Sequence, residues 1–291
     1  MIPAILCSVQ LFLIGLGQAA IVPLPSSTGP CDVMLLASEL VDLSRADPFD
    51  PKGGKRSIMV TAFTPVSCGR LLSISYFPNE TAKYEDESFQ PFELPAGTFE
   101  SYRIQTQTQQ QPLPSITYFV VVSVDYSNDA DIVEYPDGRT ILGILGNIST
   151  DAECITARNV RVEDMMFLLN QIHDEKVVRD IFALSLENSN LLSLDRVTIM
   201  GHSLGGATAA QTVLLDNRFV GGINLDGTPC GSVVDKGLSS PFLLFANANH
   251  TRATDPSWAT FSSNLRGWKL QLRLAKSKQY TFLTIQCLSM L

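Results

Sequence analysis

Residues 197–211 read VTIMGHSLGGATAAQ. A β-branched, apolar run reaches Gly201. His202 and Ser203 follow, and then a stretch of small residues with helical character. The pattern G-x-S-x-G at such a junction predicts a strand, a sharp turn and a helix, with the serine at the apex. Glycines on either side let the turn close without a Cβ in the way, and the Ser203 Oγ is left exposed above a sheet. The backbone N–H of Leu204 then points to where an oxyanion would form, aided by the positive field of the helix N-terminus. His202 neighbours Ser203 but points away across the turn, so it is read as a packing residue.

The sequence on both sides supports a sheet protein of the α/β class. RSIMVTAFTP (56–65), RLLSISYFP (70–78), YFVVVSVDY (118–126) and RVTIM (196–200) are strand-like, as are FVGGINLDG (219–227), PFLLFANAN (241–249) and WKLQLRLA (268–275). The run 118–126 is apolar almost throughout, as expected of a strand buried on both faces. Residues 159–175 place Val162, Met165, Met166, Leu169 and Ile172 on one helical face. A second helix is expected over about 205–216. Residues 79–117 are polar and contain TQTQQQPLPS (106–115), a low-complexity Gln/Pro stretch that reads as loop. Strands alternating with helical or loop segments in the C-terminal half argue a largely parallel sheet with helices on both faces.

Composition narrows the function. The 291 residues carry a formal net charge of −8 and 45% hydrophobic residues, enough for a sizeable core. The acidic balance argues against nucleic acid as a partner. No His/Cys cluster suggests a metal site. Residues 1–19 read as a secretory signal peptide with cleavage after Ala19, although its start carries no Lys or Arg. Residues 20–291 are then the mature single domain, and the location is extracellular. Asn79, Asn147 and Asn249 begin glycosylation sequons. Cys31, Cys68, Cys154, Cys230 and Cys287 remain after the signal, and one or two disulfides of undetermined pairing fit an oxidising compartment.

A serine nucleophile needs a base and an orienting acid. Asp226 follows the strand FVGGINL at the sheet edge that carries ligands in α/β folds. The bland alternative is a turn-forming Asp-Gly pair.

Taken together, GHSLGGATAAQ, FVGGINLDGTP and VVSVDYSNDADIVEYPDG (121–138) resemble the secreted platelet-activating factor acetylhydrolase family in its fungal-type branch. The resemblance covers roughly residues 30–282 and is strongest over 118–260. It implies an α/β-hydrolase fold and a calcium-independent esterase that removes short sn-2 acyl groups from phospholipids. It implies no cofactor, a phospholipid or other small ester as substrate, and contact with a lipid surface. The family's acid follows its serine by 23 residues, which matches Asp226 to Ser203.

Two departures stand out. The family's histidine follows the last strand in a pattern like His-x-x-Phe-x-Asp, where this chain has Gln279 with Phe282 three residues on. A glutamine cannot accept and return a proton. His250 is the one histidine downstream of Asp226, and His173 reads as a surface residue. In addition, the family's strand, glycine-containing oxyanion loop and helix upstream of YFVVVSV have no counterpart in TQTQQQPLPSIT. A central strand-helix unit near 100–117 and the segment after 282 therefore read as incomplete. Three functional readings follow. The first is a serine esterase using Ser203, Asp226 and the Leu204 N–H. The second is a crippled relative that binds ligand without turning it over. The third is a related esterase acting on polyester or chlorophyll esters.

Overall fold

The computed structural model describes residues 20–25, 29–67, 69–92, 94–107, 119–143, 150–182, 194–279 and 281–282. Residues 1–19, Cys68, Asn147, Cys287 and most of the Gln/Pro stretch lie outside them.

The chain builds its sheets in two blocks. In the N-terminal block, β1 (Val22–Pro23), β2 (Asp32–Ala46), β3 (Lys55–Val66) and β4 (Leu72–Ser75) lead to α1 (Asn79–Ser88) and α2 (Thr98–Ser101). β5 (Tyr102–Thr106), β6 (Val121–Tyr126), β7 (Ile132–Glu134) and β8 (Thr140–Leu142) complete it. β2 and β6 flank β3, both antiparallel to it, with Leu40 opposite Ile58 and Ile58 opposite Tyr126. β5 joins β4 and β1 in a small separate sheet, and β7 with β8 forms a hairpin.

The C-terminal block is parallel throughout. Helices α3 (Asp151–Gln171) and α4 (Glu175–Phe182) precede β9 (Val197–His202), α5 (Leu204–Leu215) and β10 (Phe219–Leu225). Then come α6 (Ser232–Lys236), β11 (Phe242–Ala246), α7 (Pro256–Asn264) and β12 (Lys269–Arg273). The strand order is β12-β11-β10-β9. Register puts Leu225 beside His202 and Leu225 beside Phe245, so the strand ends that precede Ser203, Asp226 and Asn247 lie along one edge.

The expectation of a largely parallel sheet therefore holds for these four strands, whereas β2, β3 and β6 are antiparallel. Among the described residues no ladder joins β6 to β9. One apolar core nevertheless spans both blocks, with Leu40, Ile58 and Val60 in the same cluster as Ile199, Phe242 and Leu244. β6 is only half-buried, not buried on both faces. At its end the Tyr126 hydroxyl lies 3.3 Å from the Met165 sulfur of α3.

The polar stretch 79–117 holds α1, α2 and β5 up to the start of its Gln/Pro run. One further expectation is corrected. The helix expected at 159 starts eight residues earlier, because Thr150 and Glu153 form a capping box. The Thr150 Oγ1 accepts from the Glu153 N–H at 3.2 Å, and the Glu153 carboxylate accepts from the Thr150 N–H at 2.9 Å.

A buried ionic cluster ties α3 to the antiparallel block. Arg56 on β3 is 1% exposed and donates to Asp164 at 2.6 Å, Asp47 at 3.1 Å and Asp129 at 3.2 Å. Arg161 donates to the other oxygen of Asp129 at 2.7 Å. Every carboxylate in this cluster has a cation, which offsets the cost of taking it out of water.

Candidate active site

The turn at Ser203 is strained as the motif requires. Its φ of 53° and ψ of −119° lie in a region that L-residues rarely occupy. A Cβ on Gly201 would come within 2.3 Å of the Gly205 carbonyl carbon, so β9 and α5 approach too closely for any side chain there. Gly205 itself faces open space, so the crowding that the motif predicts on both sides falls on the first glycine. The Ser203 carbonyl accepts from Gly206 at 2.9 Å and Ala207 at 3.2 Å, which starts α5 with Leu204 as its first residue.

His202 packs as expected. Its ring stacks on Phe282 with centroids 6.1 Å apart, and Phe282 is fully buried against Phe245 as well. Burial pushes the His202 pKa down, against the pull of Asp226 and a hydrogen bond to the Gln279 backbone. Among the described residues its buried Nε2 has no hydrogen-bond partner. His202 thus anchors the turn that carries Gln279.

Asp226 ends β10 in a left-handed conformation, φ 59°. Gly227 follows it because a Cβ there would lie 2.1 Å from the Ser203 carbonyl oxygen. The Asp226 carboxylate accepts from the Asn247 N–H at 2.8 Å and the Asn247 side-chain amide at 2.6 Å. Its remaining close partner is His250, whose Nδ1 lies 2.9 Å from Asp226 Oδ1.

His250 has both nitrogens engaged. Nε2 lies 2.8 Å from Asp255 Oδ2. The imidazole leans on Trp258, centroids 4.4 Å apart, and the Trp258 indole donates to the Gly227 carbonyl at 2.8 Å. Burial works to raise the Asp255 carboxyl, but hydrogen bonds from Ser257, His250 and Thr228 outweigh it and hold it below the usual range. Among the described residues no hydrogen bond joins His250 to Ser203. The partner of the Ser203 hydroxyl is Gln279, whose side-chain amide donates to Oγ at 3.3 Å. His173 lies on the surface at the end of α3, its Nδ1 on the Leu169 carbonyl.

Ser203, Leu204, Asp226, His250, Asp255 and Gln279 share one cavity of about 530 Å³, large enough for a small ester or the acyl end of a lipid. Among the described residues no cluster of His, Cys, Asp and Glu could hold a metal ion. Sequence reasoning missed Asn247, Asp255 and Trp258. Asp255-Pro256 was a legible helix start, an N-cap with proline at the first helical position. Nothing local marked Asn247 or Trp258 as neighbours of the acid.

The comparisons agree with this geometry. The family model described as platelet-activating factor acetylhydrolase, isoform II, matches residues 147–260. A probable 1-alkyl-2-acetylglycerophosphocholine esterase of Arthroderma benhamiae is 26% identical over 309 aligned residues, covering 89% of this chain and 75% of that protein. A platelet-activating factor acetylhydrolase of Cavia porcellus is 31% identical over 137 residues, covering 45% of this chain and 31% of that protein. Among solved structures, a ferulic acid esterase from Streptomyces cinnamoneus superposes with a TM-score of 0.69 at 24% identity. It covers 90% of this chain and 79% of that one, which fixes the fold. A strained serine turn on an α/β-hydrolase-like fold thus goes together with similarity to the platelet-activating factor acetylhydrolase family.

Proposed function

We propose that the chain is a carboxylic ester hydrolase acting through Ser203, with phospholipids bearing short sn-2 acyl groups as its substrate class. The observation that carries this is the strained Ser203 turn opening into a cavity that also holds Asp226. In the proposed reaction, Ser203 Oγ attacks the ester carbonyl. The Leu204 N–H at the start of α5 receives the developing oxyanion. Asp226 orients an imidazole that takes the serine proton and passes it to the leaving alcohol, and water then releases the acyl group. His250 is the histidine that shares the cavity with Ser203, and its Nδ1–Asp226 bond is half of such a relay. To serve as base, its Nε2 must leave Asp255. No cofactor is required.

A second reading rests on Gln279. With a glutamine amide on Ser203 Oγ and His250 held at both nitrogens, the chain binds the ester but turns it over slowly. Residual catalysis of about 10³ to 10⁴ over water is expected from binding and the oxyanion donor alone. Hydrolysis of p-nitrophenyl acetate and of an sn-2 acetyl phospholipid by the purified chain, beside Ser203→Ala, separates the two. A substantial rate lost on substitution supports the hydrolase. Ligand binding without Ser203-dependent turnover supports the binding protein.

The leader-like residues 1–19 and the sequons at Asn79, Asn147 and Asn249 support secretion of a glycoprotein. The mature N-terminus and carbohydrate content of protein recovered from culture medium test this. Retention inside the cell would overturn it.

A further inference from the structure

Two sulfurs meet beside the cavity. Cys154 sits in the first turn of α3 and lines the cavity together with Ser203. Cys230 lies in the turn between β10 and α6, four residues after Asp226. Both are half-buried free thiols, and Cys230 stands near enough to Cys154 to help raise its pKa.

The contact is held by a frame independent of the sulfurs. Arg158 lies one helical turn after Cys154 and is itself buried. Its guanidinium donates to the Cys230 carbonyl and to Asn159 Oδ1, the latter at 2.6 Å. Its Nη1 also lies 3.5 Å from Cys230 Sγ. Gly231 has φ of +73°, and a Cβ there would stand 2.4 Å from Arg158 Nη1. The turn is thus clamped to α3, and the thiols are brought together.

We propose that Cys154 and Cys230 are a disulfide-forming pair that pins the turn following the Asp226 strand to α3 when oxidised. With a small-molecule disulfide as oxidant, the Cys230 thiolate attacks one of its sulfurs. The oxidant's sulfur–sulfur bond breaks and one small thiol leaves. Cys154 then loses its proton and attacks the Cys230 sulfur of the mixed disulfide, releasing the second small thiol. Overall, two cysteine thiols give up two electrons and two protons, and the oxidant is reduced to two thiols. Arg158 stands where an attacking sulfur needs a counter-charge. Burial and the neighbouring thiol push the Cys154 pKa up, and it attacks once the mixed disulfide stands beside it.

The test uses the full chain equilibrated with oxidised or reduced glutathione, alkylated, digested and analysed by mass spectrometry. The expected result is a linked peptide pair containing Cys154 and Cys230, with the intact mass lower by two hydrogens. Closing so long a loop should raise Tm by roughly 5–10 °C in the oxidised sample. Cys154→Ser and Cys230→Ser should each remove that rise, and the double substitution should remove no more. Alkylation of both thiols after oxidation would overturn the proposal. So would their pairing with Cys31, Cys68 or Cys287. The peptide map of the unsubstituted chain decides the matter even where a serine variant fails to fold.

Discussion

Replacing the glutamine that touches Ser203 by histidine should create a general base where the chain now presents an amide donor. Gln279 places its amide nitrogen 3.3 Å from Ser203 Oγ, and His202 and Phe282 hold its turn in place. An imidazole has similar reach. A positioned general base contributes about 10² to 10⁴ in rate, or roughly 3–5 kcal/mol of barrier. How much of this Gln279→His recovers depends on Asp226. A carboxylate offers about four acceptor sites, and Asn247 and His250 already use three of them. The introduced ring therefore competes for one remaining site, and the gain should fall near the low end, about 10² in kcat/KM. Adding His250→Gln frees Asp226 and should move the gain toward 10⁴. The assay is p-nitrophenyl acetate hydrolysis across pH. The variant should show a limb rising through about pH 6.5, the ordinary histidine range. A folded variant with neither a faster rate nor that limb would refute the argument that the missing imidazole limits this chain.

Two other outcomes follow from the packing. Arg56→Met leaves Asp47, Asp129 and Asp164 facing each other without their shared cation; the chain should lose about 3–5 kcal/mol, read from the denaturant midpoint. His202 is held below its ordinary pKa by burial, so the unfolded chain takes up the proton first as pH falls. Its contribution is full above 6.5, the unfolded value, and is lost as pH falls from there toward the lower folded value. In His202→Asn the fall of Tm across that window should flatten, as measured by thermal unfolding at stepped pH.

The sequence made the C-terminal half legible because its signals are local. A β-branched run, a glycine, a serine and small residues specify β9, the turn and α5 within one short window. Asp226 could be found because β10 follows directly and ends in Asp-Gly. The N-terminal block was harder to see. β2 pairs with β3 across twelve positions, yet its sequence DVMLLASELVDLSRA does not alternate, because it is half-covered on both faces. α1 is polar and buries only Ala82, so nothing in its periodicity marks a helix. At the site, the Asp226–His250–Asp255 chain depends on where the loops after β10 and β11 meet. His250 stands 24 residues from Asp226 and could not be assigned from sequence spacing. The role of Gln279 was visible as a departure from a family pattern, and its contact with Ser203 only in three dimensions.

Everything proposed for the site depends on Ser203 being a nucleophile. The most direct measurement is covalent labelling with a fluorophosphonate, which phosphonylates activated serines, followed by peptide mass spectrometry. A nucleophilic Ser203 should give a single adduct on the peptide carrying it, absent in Ser203→Ala, with loss of esterase activity in step with labelling. Activity that persists after complete labelling, or equal hydrolysis by native chain and Ser203→Ala, would contradict it.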